Sequence, residues 1–355
     1  MNVEKLESIS GELKKGMTLV ELLVVLVILA SVAVSVAVSS SGMLERTRVD
    51  RTAAQGEVLR DALEAHDGLS IVSDLGISYF RAIQTAMTNT VDGTDTALLN
   101  LLFDYRHPRE ITVDVEGADP ITSTVEKEVA SYQTLTCTNT YATLLSGIVT
   151  NATLRTKMLD KWFGGASAAP QLGGGWRGPY CITKVLDSDR IPRDAFGGAW
   201  CFSTNSVSRS AFAFSLMSLG RDRVEGGADW PDEDRRFDVR SPADTTLTVT
   251  GVPPDGATAQ SLHVSYFEPE VAFTASAVLE EDVGLRVVAR GSSTLSCSLG
   301  DVDLNGEYAI TPGSRLLFAV AVDAESGDKA YVAPPRMILV RPGANQLNLS
   351  LIEVN

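Results

Sequence analysis

Six acids crowd one stretch of the chain: Asp222, Glu225, Asp229, Asp232, Glu233 and Asp234, with Gly226 and Gly227 among them. Hard divalent cations take about six to eight oxygens from carboxylates and carbonyls, on a loop able to bend round them. Glycine supplies such bends. The spacing is not the D-x-D-x-D-G of an EF-hand. Arg221, Arg223, Arg235 and Arg236 stand among the acids, and pairing with them is the competing use for those carboxylates. A further acid is placed quite differently. Glu21 is the single charge in residues 17–38, which read MTLVELLVVLVILASVAVSVAV. A carboxylate seated in lipid is costly, so this one needs a partner or a task.

Other chemistries find little material. Cys137, Cys181, Cys201 and Cys297 form no C-x-x-C pair, and His66, His107 and His263 are far apart in the chain. Zinc, thioredoxin-like and histidine-based catalysis therefore lack support. No G-x-S-x-G nucleophile motif is present, so an enzyme is not expected. The chain has 355 residues with 30 Lys+Arg against 45 Asp+Glu, a formal charge of −15. Such a balance speaks against general nucleic-acid binding, which runs on clustered cations. With 44% hydrophobic residues the chain has enough apolar side chains to bury a core.

The element that carries Glu21 is the clearest in the sequence. Residues 17–38 span roughly 33 Å as a helix, enough to cross a bilayer core. A secretory signal has its small-residue cleavage site after the apolar run; here Gly16, preceded by Lys14 and Lys15, comes before it. A cut after Gly16 exposes a new amine on Met17, within reach of Glu21 on a neighbouring copy. The lysines keep the leader on the cytoplasmic side. A plain single-span anchor, with Glu21 snorkelling, is the alternative. Residues 39–42, Ser-Ser-Ser-Gly, are weak helix formers and read as a joint. Helical pattern resumes to about residue 65, with Leu59 and Leu63 on one face.

Lys14-Lys15-Gly16 followed by Met17-Thr18-Leu19-Val20-Glu21-Leu22-Leu23 resembles the type IV prepilin signal of pilins and type II secretion pseudopilins. The resemblance implies cleavage after Gly16 by a prepilin peptidase, methylation of Met17, and a register role for Glu21 in a filament. Met17 stands where the family usually has phenylalanine. A second stretch, Trp176-Arg177-Gly178-Pro179-Tyr180 and then Pro192-Arg193-Asp194-Ala195-Phe196-Gly197-Gly198-Ala199-Trp200, is similar to the major-pseudopilin pattern of turns and aromatics. The acidic stretch is similar to that family's calcium loop. Carried over, Asp222 is a side-chain ligand and Leu219 and Val224 are carbonyl ligands. Asp232 and Asp234 form the closing pair, with Asp229 as the substitute in another register. Cys181 and Cys201 each follow an aromatic at equivalent places in the two motifs. They are either bridged, as an exported domain permits, or two buried thiols.

The expected fold class is α+β. A long amino-terminal hydrophobic helix packs on a small antiparallel sheet head, and a β-sandwich follows. Residues 1–16 are the leader and 17–65 the membrane and filament helix. Residues 66–175 read as a mostly helical insertion, and 176–240 as the β head with the acidic loop. Period-two strands separated by Pro/Gly turns over 241–355 suggest an immunoglobulin-like sandwich. The expected role is a structural subunit of a type II secretion pseudopilus or type IV pilus-like filament. Its partners are copies of itself or other pseudopilins, the peptidase and an inner-membrane assembly platform. It is held by a single span, with the globular part in the periplasm. The alternative is a minor pilin or anchored adhesin whose sandwich binds a ligand.

Overall fold

The structure, a computed structural model, describes residues 19–64, 70–77, 79, 101–102, 106–113, 121–128, 131–181, 193–203, 212–226, 232–240, 245–255, 257, 261–273, 279–300, 309–323 and 327–355. The chain divides into two units, Met1–Arg51 and Thr52–Asn355. The first helix, α1 (Leu19–Glu64), is 46 residues long and belongs to both. It runs unbroken through the Ser-Ser-Ser-Gly stretch that reads as a joint. Ser31, Ser35, Ser40 and Ser41 each donate to a carbonyl three or four residues back, at 2.8–3.0 Å. Those bonds satisfy the hydroxyls within the helix itself.

The rest of the fold follows in chain order. A capped turn of helix, α2 (Ile71–Leu75), is buried at every residue. A hairpin comes next, β1 (Arg106–Val113) with β2 (Ile121–Glu128). Then come β3 (Gln133–Thr136), α3 (Tyr141–Ser146), α4 (Ala152–Trp162) and β4 (Gln171–Gly174), with β3 and β4 antiparallel. Residues 66–175, expected as mostly helical, thus hold both helices and strands among their described residues. The helical pattern of Ser70–Met87 and Thr96–Tyr105 lies largely outside those residues.

A small antiparallel sheet is made of β5 (Cys201–Ser203), β6 (Phe212–Ser218) and β7 (Arg235–Arg240), in that order. The last turns of α1 pack on it. Thr52, Leu59, Ala62 and Leu63 are buried there. Gly56 is required by this contact, since a Cβ on it would meet the Phe237 ring at 2.2 Å. Trp200, fully buried, meets Phe237 edge-on at 5.9 Å.

The carboxyl-terminal third is a sandwich. Its strands are β8 (Thr246–Val252), β9 (Ser261–Phe273), β10 (Leu279–Ser292), β11 (Ser296–Leu299), β12 (Gly313–Val322), β13 (Ala330–Val340), β14 (Ala344–Ser350) and β15 (Ile352–Glu353). One sheet has the order β10-β9-β12-β13-β15, and the other β11-β8-β14. All pairings are antiparallel except β14 with β8. Leu247, Val249, Leu262, Val264, Tyr266, Leu317 and Leu349 share the core between the sheets. Leu316, Phe318 and Val320, an alternating set on β12, face the other way. They pack against Tyr141, Met158 and Phe163, from α3, α4 and the residue after it. Strand β12 is buried on both faces because a third layer covers the larger sheet. The expected α+β class, with helix, small antiparallel head and sandwich, is what the chain forms.

The Phe318 ring sits 5.7 Å from Tyr141, 5.2 Å from Phe163 and 6.0 Å from Phe267. Phe318→Ala is expected to lower unfolding stability by about 3–5 kcal/mol, as for other wholly buried aromatics. Met337→Ala, at an exposed position of β13, is expected to change it by less than about 0.5 kcal/mol. Urea unfolding followed by far-UV circular dichroism measures both; equal losses would contradict the three-layer arrangement.

Candidate functional site

Three groups of residues are candidates, and the structure treats each differently. The first is the amino-terminal segment. Gly16 and Met17 lie outside the described residues. Glu21 lies in the first turn of α1, where a carboxylate favours the positive end of the helix dipole. Every large apolar side chain from Leu19 to Val38 is exposed, Leu19 at 80% and Val38 at 68%. By length and composition this helix is able to cross a membrane. It is apolar all round, a pattern that water does not stabilise on an isolated helix.

The second is the pair of aromatic turn motifs, whose use is structural and specific. Arg177 donates Nε and Nη2 to Asp74, at 3.1 and 2.8 Å. The Tyr180 hydroxyl donates to the same carboxylate at 2.8 Å. Trp176 Nε1 donates to the Leu101 carbonyl at 2.6 Å, and the Arg177 guanidinium lies 4.9 Å over the Tyr132 ring. So the W-x-G-P-Y stretch is a receptor for one buried acid on α2. Gly76, which ends α2 with φ +81°, lets the chain pass Pro269 O, which a Cβ would meet at 2.3 Å. Sequence reasoning missed Asp74, because its partners lie about a hundred residues away.

Asp194 of the second motif is also buried. It accepts from the backbone N–H groups of Phe196 and Gly198 and from the Ser218 hydroxyl. Ser218 belongs to the Ser-Leu-Gly that opens the acidic loop. The second aromatic motif and the start of the acidic loop, apart in sequence, are thus one lock. Ala195 N–H then donates to Thr52 Oγ1 on α1 at 3.2 Å, tying the lock to the helix. Burial raises both carboxyls, Asp74 and Asp194, above the ordinary aspartate range, and their hydrogen-bond donors pull them partly back.

Cys181 and Cys201 are not bonded to each other; both are free thiols. Cys181 is turned to α1, its sulfur 3.9 Å from the Val58 carbonyl, while the Cys201 sulfur is 3.8 Å from the carbonyl of Ala199. Burial pushes their thiols up to about 12 and about 11, so little thiolate is present at neutral pH.

The third group is the acidic loop. Asp232 is gripped by Arg221, Nε to Oδ1 at 2.9 Å and Nη2 to Oδ2 at 3.0 Å. Asp222 accepts from Val224 N–H at 3.1 Å, and Asp234 from Gly226 N–H at 2.9 Å. Leu219 is half-buried and Val224 exposed, and Asp229 lies outside the described residues. Among the described residues no three His, Cys, Asp or Glu side chains converge as a metal group needs. Asp234 Oδ1 is a buried oxygen without a hydrogen-bond partner, but one such oxygen is far from the six to eight that calcium takes. The described residues of this loop do not fit a calcium cage.

Comparison with known proteins bears on the first group. Residues 13–37 match the family described as the prokaryotic N-terminal methylation motif. The chain carries a type IV pilin-like signal. That signal begins before α1 and ends within its apolar run. No curated protein matches the chain significantly. Among solved structures, the crystal structure of the group B streptococcus pilus 2b backbone protein matches at 12% identity and a TM-score of 0.20. That match covers 36% of this chain and 45% of that one. A TM-score that low does not establish a shared fold.

Breaking the Asp74 receptor gives a sharp expectation. Arg177→Ala strands a buried carboxylate and is expected to cost about 2–4 kcal/mol, near the lower end for buried pairs because Arg177 is partly exposed. The pH dependence has a definite sign. A folded-state pKa above the unfolded value gives stability that is present at low pH and lost as pH rises through the raised pKa. The Tm of the parent protein minus that of Asp74→Asn should therefore increase as pH falls from neutral toward the ordinary aspartate range. Scanning calorimetry at a series of pH values reads this; a gap that shrinks on acidification would contradict the assignment.

Proposed function

We propose that this chain is a structural subunit of a type IV pilus-like filament, of the kind that includes type II secretion pseudopili. The observation that carries the reading is a coincidence on one helix. The methylation motif covers residues 13–37, and the apolar side chains of that same stretch of α1 are exposed along its length. Lipid covers such a helix before assembly, and neighbouring helices cover it afterwards. The precursor sits in the inner membrane with its leader in the cytoplasm and its globular part in the periplasm. A prepilin peptidase cuts after Gly16, and the new amine of Met17 is methylated. An assembly platform then lifts the subunit into the filament.

Glu21 gives the assembly its register. Hydrophobic contact is non-directional, so an all-apolar helix slides along its neighbours at little cost. A carboxylate in the same environment does not, because it is stable only beside a positive group. The Met17 amine of an adjoining copy is that group. No catalytic step is assigned to any residue.

Mass spectrometry of the protein purified from its native membrane tests the processing step. The expected mature chain begins at Met17 and carries one added methyl group on its amine. A chain that retains residues 1–16 would instead mark a simple membrane anchor.

A further inference from the structure

We propose that a cavity beside α2 is a binding site for a small aliphatic carboxylate. Its volume is about 230 Å³. Parts of α2, β4, the turn motif after β4, β12 and β13 line it, all within the unit Thr52–Asn355. Pockets for drug-sized ligands run to ~300–1,000 Å³, so the occupant here is small. The charged side chains among the described lining residues are Arg177, Arg315 and Asp74, two cations against one anion. That excess is the reverse of the whole chain, whose formal charge is −15.

The charged and phenolic groups still open there are donors. Both oxygens of Asp74 are taken, by Arg177 Nε and Nη2 and by the Tyr180 hydroxyl. Arg315, 1% exposed, spends its N–H groups on the carbonyls of Ser73, Thr311, Pro312 and Ser314 and on the Thr311 hydroxyl. Those partners are neutral, so they fix the guanidinium without cancelling its charge. Glu268 lies 3.8 Å from it but has Arg286 closer, at 2.8 Å. Arg177 Nη1 and the Tyr132 hydroxyl enter no hydrogen bond. Gly173 is what lets Tyr132 lie there, since a Cβ on it would overlap that hydroxyl. A carboxylate accepts from both groups, and its bond to the guanidinium is charge-assisted. An ammonium ligand would meet two guanidinium groups and no open carboxylate. The rest of the wall is apolar. Leu172 is buried in it, and Met337, 54% exposed, leads along β13 to Leu339, 53% exposed. A short hydrocarbon tail covers these side chains while its head meets Arg177. The inference does not rest on the filament reading.

The test uses the full chain in detergent, with butyrate as the probe. Saturation-transfer NMR on the butyrate methyl protons should show saturable binding, with a Kd of roughly 0.1–10 mM for one charge-assisted contact and a short tail. Butyramide, a neutral analogue of the same shape, should bind about tenfold more weakly or worse. Acetate, which lacks the tail, should also bind more weakly than butyrate. Met337→Glu sets a negative charge beside the cavity and should weaken butyrate about tenfold or more. Tyr132→Phe removes one donor and should weaken it roughly three- to tenfold. Both variants alter exposed side chains and should keep the parental Tm to within about 2 °C, which separates loss of the site from loss of the fold. No saturable butyrate signal, equal signals from butyrate and butyramide, or butyrate binding untouched by Met337→Glu would overturn the inference.

Discussion

Apolar surface in water is unfavourable by about 25 cal/mol per Å², and residues 19–38 present it on every side of α1. The exposed run belongs to the unit Met1–Arg51. By length and composition the helix is able to cross a membrane. Lipid serves for one copy and other copies serve for many, and an all-round apolar surface accepts either. What it does not supply is position. Small residues such as Ala30, Ser31, Ala33 and Ser35 let helices approach closely, but Glu21 is the one group in the run that distinguishes one axial placement from another. On the function proposed above, the methylation motif and the exposed helix belong to one physical problem: how to hold a charge-bearing apolar rod in register.

The unit Thr52–Asn355 is held together by another means. Its buried charges sit where segments meet. Asp74 on α2 is held by Arg177 and Tyr180, and Arg315, 1% exposed, donates to the Ser73 carbonyl at 2.9 Å. Arg315 also lies 3.8 Å from Glu268, which is fully buried and receives Arg286 and both donors of Thr311. This lattice runs from the aromatic turn motif through α2 into the sandwich. Buried ion pairs add little net stability, but removing one partner is costly because the other is left stranded. Such a lattice specifies one arrangement of the segments more than it strengthens them. The Asp194–Ser218 lock does the same for the small sheet and the last turns of α1.

Much of this was legible in the residues, and the failures have physical causes. The apolar run, its glutamate and the period-two strands of the sandwich are local patterns, and the structure has them. The face that β12 presents was not legible. Leu317 and Ala319 face the core between the sheets, yet Leu316, Phe318 and Val320, which alternate with them, are buried too, since α3 and α4 arrive from more than a hundred residues upstream. Propensity alone makes Ser39–Gly42 a joint, yet α1 runs through it, with the Ser40 and Ser41 hydroxyls bonded back to helix carbonyls. The motif residues Trp176–Tyr180 were visible, but their object, Asp74, was not, because a lone aspartate after Ser73 carries no local signal. In the acidic loop both uses of the carboxylates were open from composition. Which side chains meet is set by the fold, and among the described residues Arg221 meets Asp232.

The central claim is that Glu21 turns a non-directional apolar contact into a registered one. The direct measurement is filament yield, by electron microscopy and by the sheared-fibre fraction, from cells that produce Glu21→Ala at the parental level. Removing the carboxylate makes the helix more at home in lipid, so the account predicts protein that accumulates in the membrane, processed at Gly16, with few or no filaments. Filaments at undiminished yield from Glu21→Ala would contradict it.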